Sequence, residues 1–156
     1  MVPPFDAFLE EHRETVYRFL VAAVGREEAD DCFQETFLSA LRAYRRLTDG
    51  SNLRGWVLTI AHRKAIDSHR ARLRRRLATD AIARDVPAAD GESRTPEEAD
   101  VWADVRSLPP RQRMAVAHRY VSDLAYAEIG RLMGTSEEAA RQNVHAGLKR
   151  LRSMDR

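Results

Sequence analysis

Apolar residues recur every three or four positions along most of the chain, a spacing that places them on one face of an α-helix. The first such stripe runs from Phe5 to Ala23 and stops near Gly25. The alternation of apolar and polar residues that is typical of a half-buried strand does not occur in a convincing form. The pattern therefore predicts an all-α fold.

Turn-forming and capping residues divide this pattern into helices. Residues 48–52 read TDGSN and separate the second helix from the third. Pro109 and Pro110 end one helix and begin the next, because a helix tolerates proline only in its first turn. The predicted helices cover about 5–25, 27–47, 53–77, 96–107, 110–121, 124–133 and 136–152.

One segment interrupts the helical pattern. Residues 78–94 are small, acidic and turn-prone, which is typical of a linker. Helical order returns where Thr95, Pro96 and Glu98 suit the N-cap, N1 and N3 positions of a new helix. We therefore predict two small helical domains, 1–77 and 95–156, joined by a flexible acidic linker.

The charge of the chain alternates in blocks. The net charge is −4 over residues 1–50, +7 over 51–77, −5 over 78–100 and +4 over 101–156, although the whole chain carries only +2. A protein that needs charge only for solubility would mix the two signs more evenly. The blocks indicate two basic surfaces on an otherwise acidic chain, an arrangement that suits a nucleic-acid partner.

Several classes of protein are not expected from this sequence. No apolar run is long enough to cross a bilayer and no secretory signal is apparent, so we expect a cytoplasmic protein without membrane insertion. The single cysteine, Cys32, lies on an apolar stripe without a histidine beside it, which favours an inert core thiol over a nucleophile. The five histidines lack metal-ligand spacing. We expect no catalytic residues, no metal and no cofactor.

Residues 124–148 have the spacing of a helix-turn-helix. Gly130 lies where two helices would cross, and Gly134 suits the turn between them. Thr135 and Glu138 are predicted to form a capping box that starts the second helix. The first turns of such a helix meet base edges in the major groove, while basic residues near its end hold phosphates. An ordinary helical hairpin, with Gly134 as a simple C-cap, is the alternative.

A second basic segment covers residues 52–76. Asp67 is its single acidic residue, and its Lys and Arg side chains could bind phosphates without sequence preference. A solvated helix face is the alternative explanation. Trp56 near its start is better explained as a core anchor than as a base-stacking residue, because Val57 and Ile60 flank it. The basic residues are Arg54, Arg63, Lys64, Arg70, Arg72, Arg74, Arg75 and Arg76.

Three segments in this order resemble the extracytoplasmic-function sigma factors, the small two-domain branch of the sigma-70 family. DDCFQETFLSALRAYRRL is similar to the family's core-polymerase-binding helix, and NLRGWVLTIAHRKAID to its −10-recognising loop and helix. SLPPRQRMAVAHRYVSDLAYAEIGRLMGTSEEAARQNVHAGLKRLR is similar to its −35-binding domain. The resemblance implies a sigma region 2-like helical bundle at 1–77 and a sigma region 4-like helix-turn-helix domain at 95–156.

The resemblance also implies functional residues. Binding to the RNA polymerase core would use Asp30, Asp31, Gln34, Glu35, Phe37 and Leu38. Recognition of the −10 element would use Asn52, Leu53, Arg54, His62, Arg63, Asp67 and Arg70. Recognition of the −35 element would use Ser136, Glu137, Arg141, Gln142, Asn143, His145 and Lys149.

The implied function is promoter-specific initiation of transcription. The partners would be the β and β′ subunits of the polymerase core and promoter DNA, and an anti-sigma factor, since the family is commonly held inactive by one. The alternatives are a helix-turn-helix regulator that has lost initiation activity and a DNA-modifying enzyme that uses Cys32. In vitro transcription with purified core separates the first of these from a sigma factor.

Four positions depart from the family pattern. Arg63 stands where many members have asparagine, and Asn143 where a basic residue is common. Ala125 replaces the usual cap of the first helix of the helix-turn-helix, so we expect Ser122 or Asp123 to cap it. Gly147 lies inside a helix, at a cost of about 1 kcal/mol relative to alanine. These departures concern the promoter sequence that is read, since Gln142 and Asn143 suit adenine and Arg141 suits guanine.

Overall fold

The computed structural model describes residues 1–48, 52–82 and 96–154. These residues contain α-helices and no strand, which confirms the predicted all-α class. The helices are α1 Phe5–Val24, α2 Arg26–Tyr44, α3 Leu53–Ile82, α4 Pro96–Ser107, α5 Pro110–Tyr120, α6 Tyr126–Met133 and α7 Glu137–Met154. No helix in this part of the chain is both long and apolar enough to cross a membrane.

Helix α3 is longer than its apolar pattern predicts. It continues to Ile82, five residues beyond the expected end at Leu77. Residues 78–82 read ATDAI and include neither glycine nor proline, so no helix-breaking residue stops α3 at Leu77. Residues 83–94 of the expected linker and the expected N-cap at Thr95 lie outside the described residues.

The N-terminal bundle consists of α1, α2 and α3, which pack on one another in pairs. Gly25 joins α1 directly to α2 with φ of 87°, a conformation that side chains rarely adopt. Phe8 and Phe19 are fully buried in its core. The ring of Trp56 lies 5.7 Å from that of Phe8, so Trp56 anchors α3 in the bundle as predicted.

The C-terminal bundle contains the predicted helix-turn-helix in α6 and α7, packed on α5. A Cβ at Gly130 would lie 2.9 Å from the carbonyl of Ser136, which explains why this crossing requires glycine. Gly134 adopts the left-handed conformation of the turn, with φ of 70°. Both glycines therefore have the positions that the helix-turn-helix spacing predicts.

Two expected helix caps are wrong. Ser136, not Thr135, caps α7, since its Oγ accepts a hydrogen bond from the Ala139 N–H at 3.0 Å. Glu138 bonds Arg141 instead of closing a capping box. Helix α6 begins after Ala125 without a side-chain cap, so neither Ser122 nor Asp123 substitutes there.

Gly147 is explained by close packing of α7 on α5. A Cβ at this position would lie 2.7 Å from Cγ2 of Val116, which is itself buried. Alanine would favour the helix by about 1 kcal/mol, but the clash opposes this gain.

We expect Gly147→Ala to lower the free energy of unfolding by about 1–3 kcal/mol, because over-packing outweighs helix propensity. Combining it with Val116→Ala should cost less than the sum of the two single changes, since the shortened side chain makes room for the new methyl group. Urea denaturation of the four proteins in this cycle measures the coupling. Additive effects would show that the α5–α7 contact does not require glycine.

The two bundles pack against each other. Helix α1 contacts α4 and α5, and α3 contacts α6. One continuous group of buried side chains includes residues of both bundles, such as Phe19 and Leu58 of the first and Met114 and Leu124 of the second. The predicted domains are therefore joined by an apolar interface within the described residues.

Candidate nucleic-acid interface

Helix α7 presents its predicted DNA-reading side chains outward. Ala140, Val144 and Gly147 are buried against the rest of the bundle. Arg141 and Asn143, which flank this buried edge, are half-buried. The exposed members of the predicted set are Ser136, Glu137, Gln142, His145 and Lys149. The face that a major groove would meet is thus open in this structure.

Arg141 is held in place before any DNA is bound. Its guanidinium lies 2.7 Å from Glu138 and 3.4 Å from Glu137 on the same helix. It also lies 5.0 Å above the centre of the Tyr126 ring, a favourable cation–π contact. Arg119 lies near the same ring at 4.4 Å. These neighbours restrict the side chain of Arg141, which reduces the entropy it would lose on binding a base.

The basic part of α3 forms a second exposed surface. Its arginines at 63, 70, 72, 74, 75 and 76 are all exposed, and Lys64 is half-buried. Arg75 lies 3.6 Å from Glu28 of α2, which fixes its position on the surface. Asp67 is exposed on the same helix. This surface can contact phosphates along the length of a strand.

Leu53 and Arg54 form the first turn of α3, so Asn52 is the described residue that directly precedes the helix. Asn52 caps the helix, with its Oδ1 accepting a hydrogen bond from the Gly55 N–H at 3.1 Å. Leu53 and Arg54 are half-buried, and the guanidinium of Arg54 donates a hydrogen bond to the carbonyl oxygen of Ser122 in the C-terminal bundle. The start of α3, which carries predicted −10 residues, is therefore in direct contact with the second domain.

His62 is buried rather than exposed. Its Nδ1 lies 3.0 Å from Nε2 of His118 on α5, and the ring of His118 stacks on that of Phe19 at 4.2 Å. Burial, followed by the charge of Arg63, lowers the pKa of His62 to about 4. Burial also lowers the pKa of His118 well below its usual value. Both rings are therefore neutral near pH 7, and the N–H of one ring donates a hydrogen bond to the unprotonated nitrogen of the other.

This pair predicts a loss of stability in acid. Both histidines titrate near 6.5 when unfolded, above their folded pKa values. Because folding lowers these pKa values, the folded state has its full stability above about pH 6.5. That stability is lost as the pH falls towards 4, the pKa of His62 in the folded protein. Urea denaturation should give a free energy of unfolding about 1–3 kcal/mol smaller at pH 5.5 than at pH 7.5.

The control for this prediction is His118→Gln, which removes one of the two histidines of the buried pair. Its free energy of unfolding should depend less on pH than that of the parent protein. His12 and His69, whose pKa values are also lowered by burial, remain in both proteins, so they do not affect the difference. Equal pH dependence in the two proteins would contradict the role given to the pair.

Helix α2 presents an acidic face with an apolar ridge. Asp30, Asp31, Gln34 and Glu35 are exposed, and Leu38 is 50% exposed. Phe37, which the resemblance places among the contact residues, is 7% exposed, and its ring packs on those of Phe33 and Phe8. The buried ring of Phe37 therefore packs beneath the exposed residues of α2 and supports them.

Leu41 was missed by the sequence analysis. Its place on an apolar stripe suggests burial, yet it is 50% exposed, one turn beyond Leu38. Helix α2 has more apolar residues than one buried face requires. This excess was the available signal that some of them are exposed. Leu38 and Leu41 together form the ridge beside the acidic residues.

Cys32 is buried among the helices of the first bundle. Its Sγ faces the carbonyl oxygen of Lys64 at 3.8 Å. Burial raises the pKa of the thiol, and the nearby carboxylates of Glu28, Glu35 and Asp31 act in the same direction. A buried thiol that keeps its proton is not a nucleophile, which argues against the enzyme alternative.

An outward-facing helix-turn-helix and a separate basic helix define a two-domain, all-helical nucleic-acid-binding protein. Family models described as Sigma-70 region 2 and Sigma-70, region 4 match residues 8–76 and 104–151. Among the relatives, RNA polymerase sigma factor CarQ of Myxococcus xanthus is 32% identical, over 96% of this chain and 88% of its own length. The chain belongs to the sigma-70 family, in its extracytoplasmic-function branch.

A second relative is considerably longer than this chain. ECF RNA polymerase sigma factor SigE of Mycolicibacterium smegmatis is 31% identical over 97% of the chain, which spans 61% of the length of SigE.

Two solved structures share the fold. Sigma factor RpoE of Bartonella quintana, in complex with the anti-sigma factor NepR, has a TM-score of 0.78 at 21% identity over 96% of this chain and 94% of its own. CnrH, in complex with the cytosolic domain of CnrY, has a TM-score of 0.73 at 18% identity over 96% and 86% of the two chains.

Proposed function

We propose that the protein binds the RNA polymerase core and directs initiation at promoters that carry a −10 and a −35 element. The observation that carries this proposal is the presence of three separate surfaces on one chain. These are the acidic face of α2, the loop and basic surface of α3, and the outward face of α7. The α2 residues are exposed and acidic or polar, the arginines of α3 from Arg63 onward are exposed, and α7 turns Gln142, His145 and Lys149 to the outside.

The core would bind the acidic residues of α2 and the Leu38–Leu41 ridge. Complementary charge steers association and fixes the register of two surfaces, while the exposed leucines add apolar burial. We place this contact on the β and β′ subunits. Because the core carries the chemistry of RNA synthesis, the protein acts as an initiation subunit rather than as an enzyme, and it acts in the cytoplasm, where the core is.

Promoter DNA would bind two surfaces in different ways. The −35 duplex would receive α7 in its major groove, with Arg141, Gln142 and Asn143 near base edges and Lys149 on a phosphate. The −10 strand would bind Asn52, Leu53 and Arg54 at the start of α3 and the exposed residues Arg63, Asp67 and Arg70 farther along it. Capture of unpaired bases requires a pocket together with cationic residues along the backbone, which this region combines.

An anti-sigma factor is a further partner that we propose. RpoE and CnrH, which share the fold of this chain, were solved in complexes, the first of them with a protein named as an anti-sigma factor. Pull-down of the tagged protein from its native cells, followed by a test of whether the captured protein inhibits in vitro transcription, tests this partnership.

Multi-round transcription with purified core on a promoter library tests the main proposal. A sigma factor yields transcripts from a subset of promoters that share two elements at fixed spacing. The helix-turn-helix regulator alternative predicts binding to duplex DNA without core and no transcript from any promoter. The two outcomes are mutually exclusive.

A further inference from the structure

A cleft opens between the two bundles beside α1 and has a volume of about 640 Å³. This size lies within the range of small-ligand pockets, about 300–1,000 Å³. None of the described residues that line the cleft is acidic, and none belongs to the three surfaces proposed above. Its charged and aromatic side chains are those of Arg18, Arg26, Arg106, Tyr17, Trp102 and Tyr120. The lining therefore combines positive charge with aromatic rings.

The arginines of this cleft come from both bundles. On α4, the Cδ and Nε atoms of Arg106 lie 3.6 Å from the position that a Cβ of Gly25 would take. Gly25 directly precedes Arg26, the first residue of α2. Arg106 thus reaches across the boundary between the bundles to the helix start that carries Arg26. Guanidinium groups bind phosphate oxygens through paired, charge-assisted hydrogen bonds, so several of them suit a ligand with more than one negative charge.

Two further arginines strengthen the positive charge on this side of the protein. Nη1 of Arg113 donates a hydrogen bond to the carbonyl oxygen of Ala23 at 3.3 Å, close to the same helix junction. Burial, followed by the charges of Arg106 and Arg72, lowers the pKa of the Arg113 guanidinium. Guanidinium groups that are held close together repel one another, so a bound anion would lower the electrostatic energy of the cluster.

Two carboxylates at the rim offset part of this charge. Glu14 forms an ion pair with Arg18 at 2.8 Å, and Asp30 accepts a hydrogen bond from the hydroxyl group of Tyr17. The side chains of Glu14 and Arg18 are both mostly exposed, and an exposed ion pair of this kind contributes little free energy. Arg18 can therefore exchange its partner for a phosphate at low cost.

The aromatic side chains provide flat surfaces for a ring. Tyr120 is 58% exposed and Tyr17 is 37% exposed, while Trp102 is half-buried. The ring of Tyr17 packs edge-on against that of Phe33, with 5.9 Å between their centres, which restricts its orientation. Nucleic-acid bases stack on aromatic side chains whatever their identity, because every base has a π-face. Arginines alone would suit any anion, but the tyrosines and the tryptophan favour an anion that carries an aromatic ring.

We propose that this cleft binds a purine nucleoside diphosphate or triphosphate. The phosphates would lie at Arg26 and Arg106, and the base would stack on Tyr120 and Trp102. Because these residues come from both bundles, one bound nucleotide would contact the two of them at once. The site is separate from the surfaces proposed for core and promoter, so it does not depend on the sigma-factor function.

Isothermal titration calorimetry of the full chain with ATP and with GTP, in the absence of polymerase, tests the site. At least one of the two nucleotides should bind with a micromolar dissociation constant and one molecule per chain. Adenosine or guanosine, which lack the phosphates, and tripolyphosphate, which lacks the base, should each bind about tenfold more weakly or worse. Absence of binding by both nucleotides would overturn the proposal. Equally tight binding of tripolyphosphate would also overturn it, since any basic surface would then explain the affinity.

Two substitutions of exposed residues locate the nucleotide. Arg26→Gln removes a charge contributed by the first bundle, and Tyr120→Ala removes a ring contributed by the second. Each should weaken nucleotide binding by about tenfold, and losses in both variants would place the ligand between the bundles. Circular dichroism checks that both variants stay helical.

The matched control is Arg42→Gln, which removes an exposed arginine near the other end of α2. It should bind the nucleotide as tightly as the parent protein does. An equal loss in Arg42→Gln and Arg26→Gln would mean that net charge determines the affinity and would overturn the site. Unchanged affinity in both Arg26→Gln and Tyr120→Ala would show that the nucleotide binds elsewhere, which would overturn it as well.

Discussion

Changing Asp31 and Glu35 to lysine together is expected to lower the affinity for the RNA polymerase core by about 100-fold or more. Both carboxylates are exposed one turn apart on α2, next to the half-exposed Leu38. The two lysines would face a surface of the core that is complementary to carboxylates and therefore positively charged. Contacts between like charges across an interface cost several kcal/mol. Binding of labelled protein to purified core, measured by fluorescence anisotropy at two salt concentrations, gives the change in dissociation constant.

The matched control is Glu10→Lys with Glu14→Lys on α1. These carboxylates are also exposed and four residues apart, and each forms a surface ion pair of the kind that contributes little to stability. The control alters net charge by the same amount without touching the proposed contact face. A similar loss of affinity in both double variants would mean that net charge, and not the α2 face, determines binding to core.

The helices themselves could be predicted from the sequence because their signals are local. The apolar period of α1 and the proline at the start of α4 and of α5 lie within a few residues of the boundaries they determine. The cap of α7 was misplaced by one residue, since Thr135 and Ser136 are adjacent hydroxyl residues and both can cap a helix. Which of two adjacent hydroxyl residues caps a helix depends on the backbone conformation at each position, and the residue types alone do not determine it.

The contacts between the predicted −10 residues of α3 and the C-terminal bundle could not be predicted, because they join distant parts of the chain. Arg54 and Ser122 are 68 residues apart, and His62 and His118 are 56 apart. No periodic pattern in the sequence links the members of either pair. A histidine at position 62 is equally compatible with a contact to DNA and with a hydrogen bond to a second histidine. The exposure of Leu41 escaped prediction for the same reason, since an apolar residue on a helix is buried only if a neighbour covers it.

Arg141→Ala is expected to relax sequence preference at one or two base pairs of the −35 element, at a cost of about 1–3 kcal/mol there. Arg141 is half-buried beside the packed edge of α7, close to Glu137, Glu138 and the ring of Tyr126. These contacts orient the guanidinium, so it can donate two hydrogen bonds to one guanine with little loss of entropy. Binding to holoenzyme across a series of −35 substitutions measures the preference.

Lys149→Ala is the matched comparison on the same helix. Lys149 is exposed two turns nearer the C-terminus, where a helix in the major groove approaches the phosphates. Its loss should weaken all −35 variants about equally and reduce the salt dependence by about one unit of slope. The two variants thus separate base reading from phosphate binding within one helix. If Arg141→Ala weakens every −35 sequence by the same factor, α7 holds the backbone and the bases are read elsewhere.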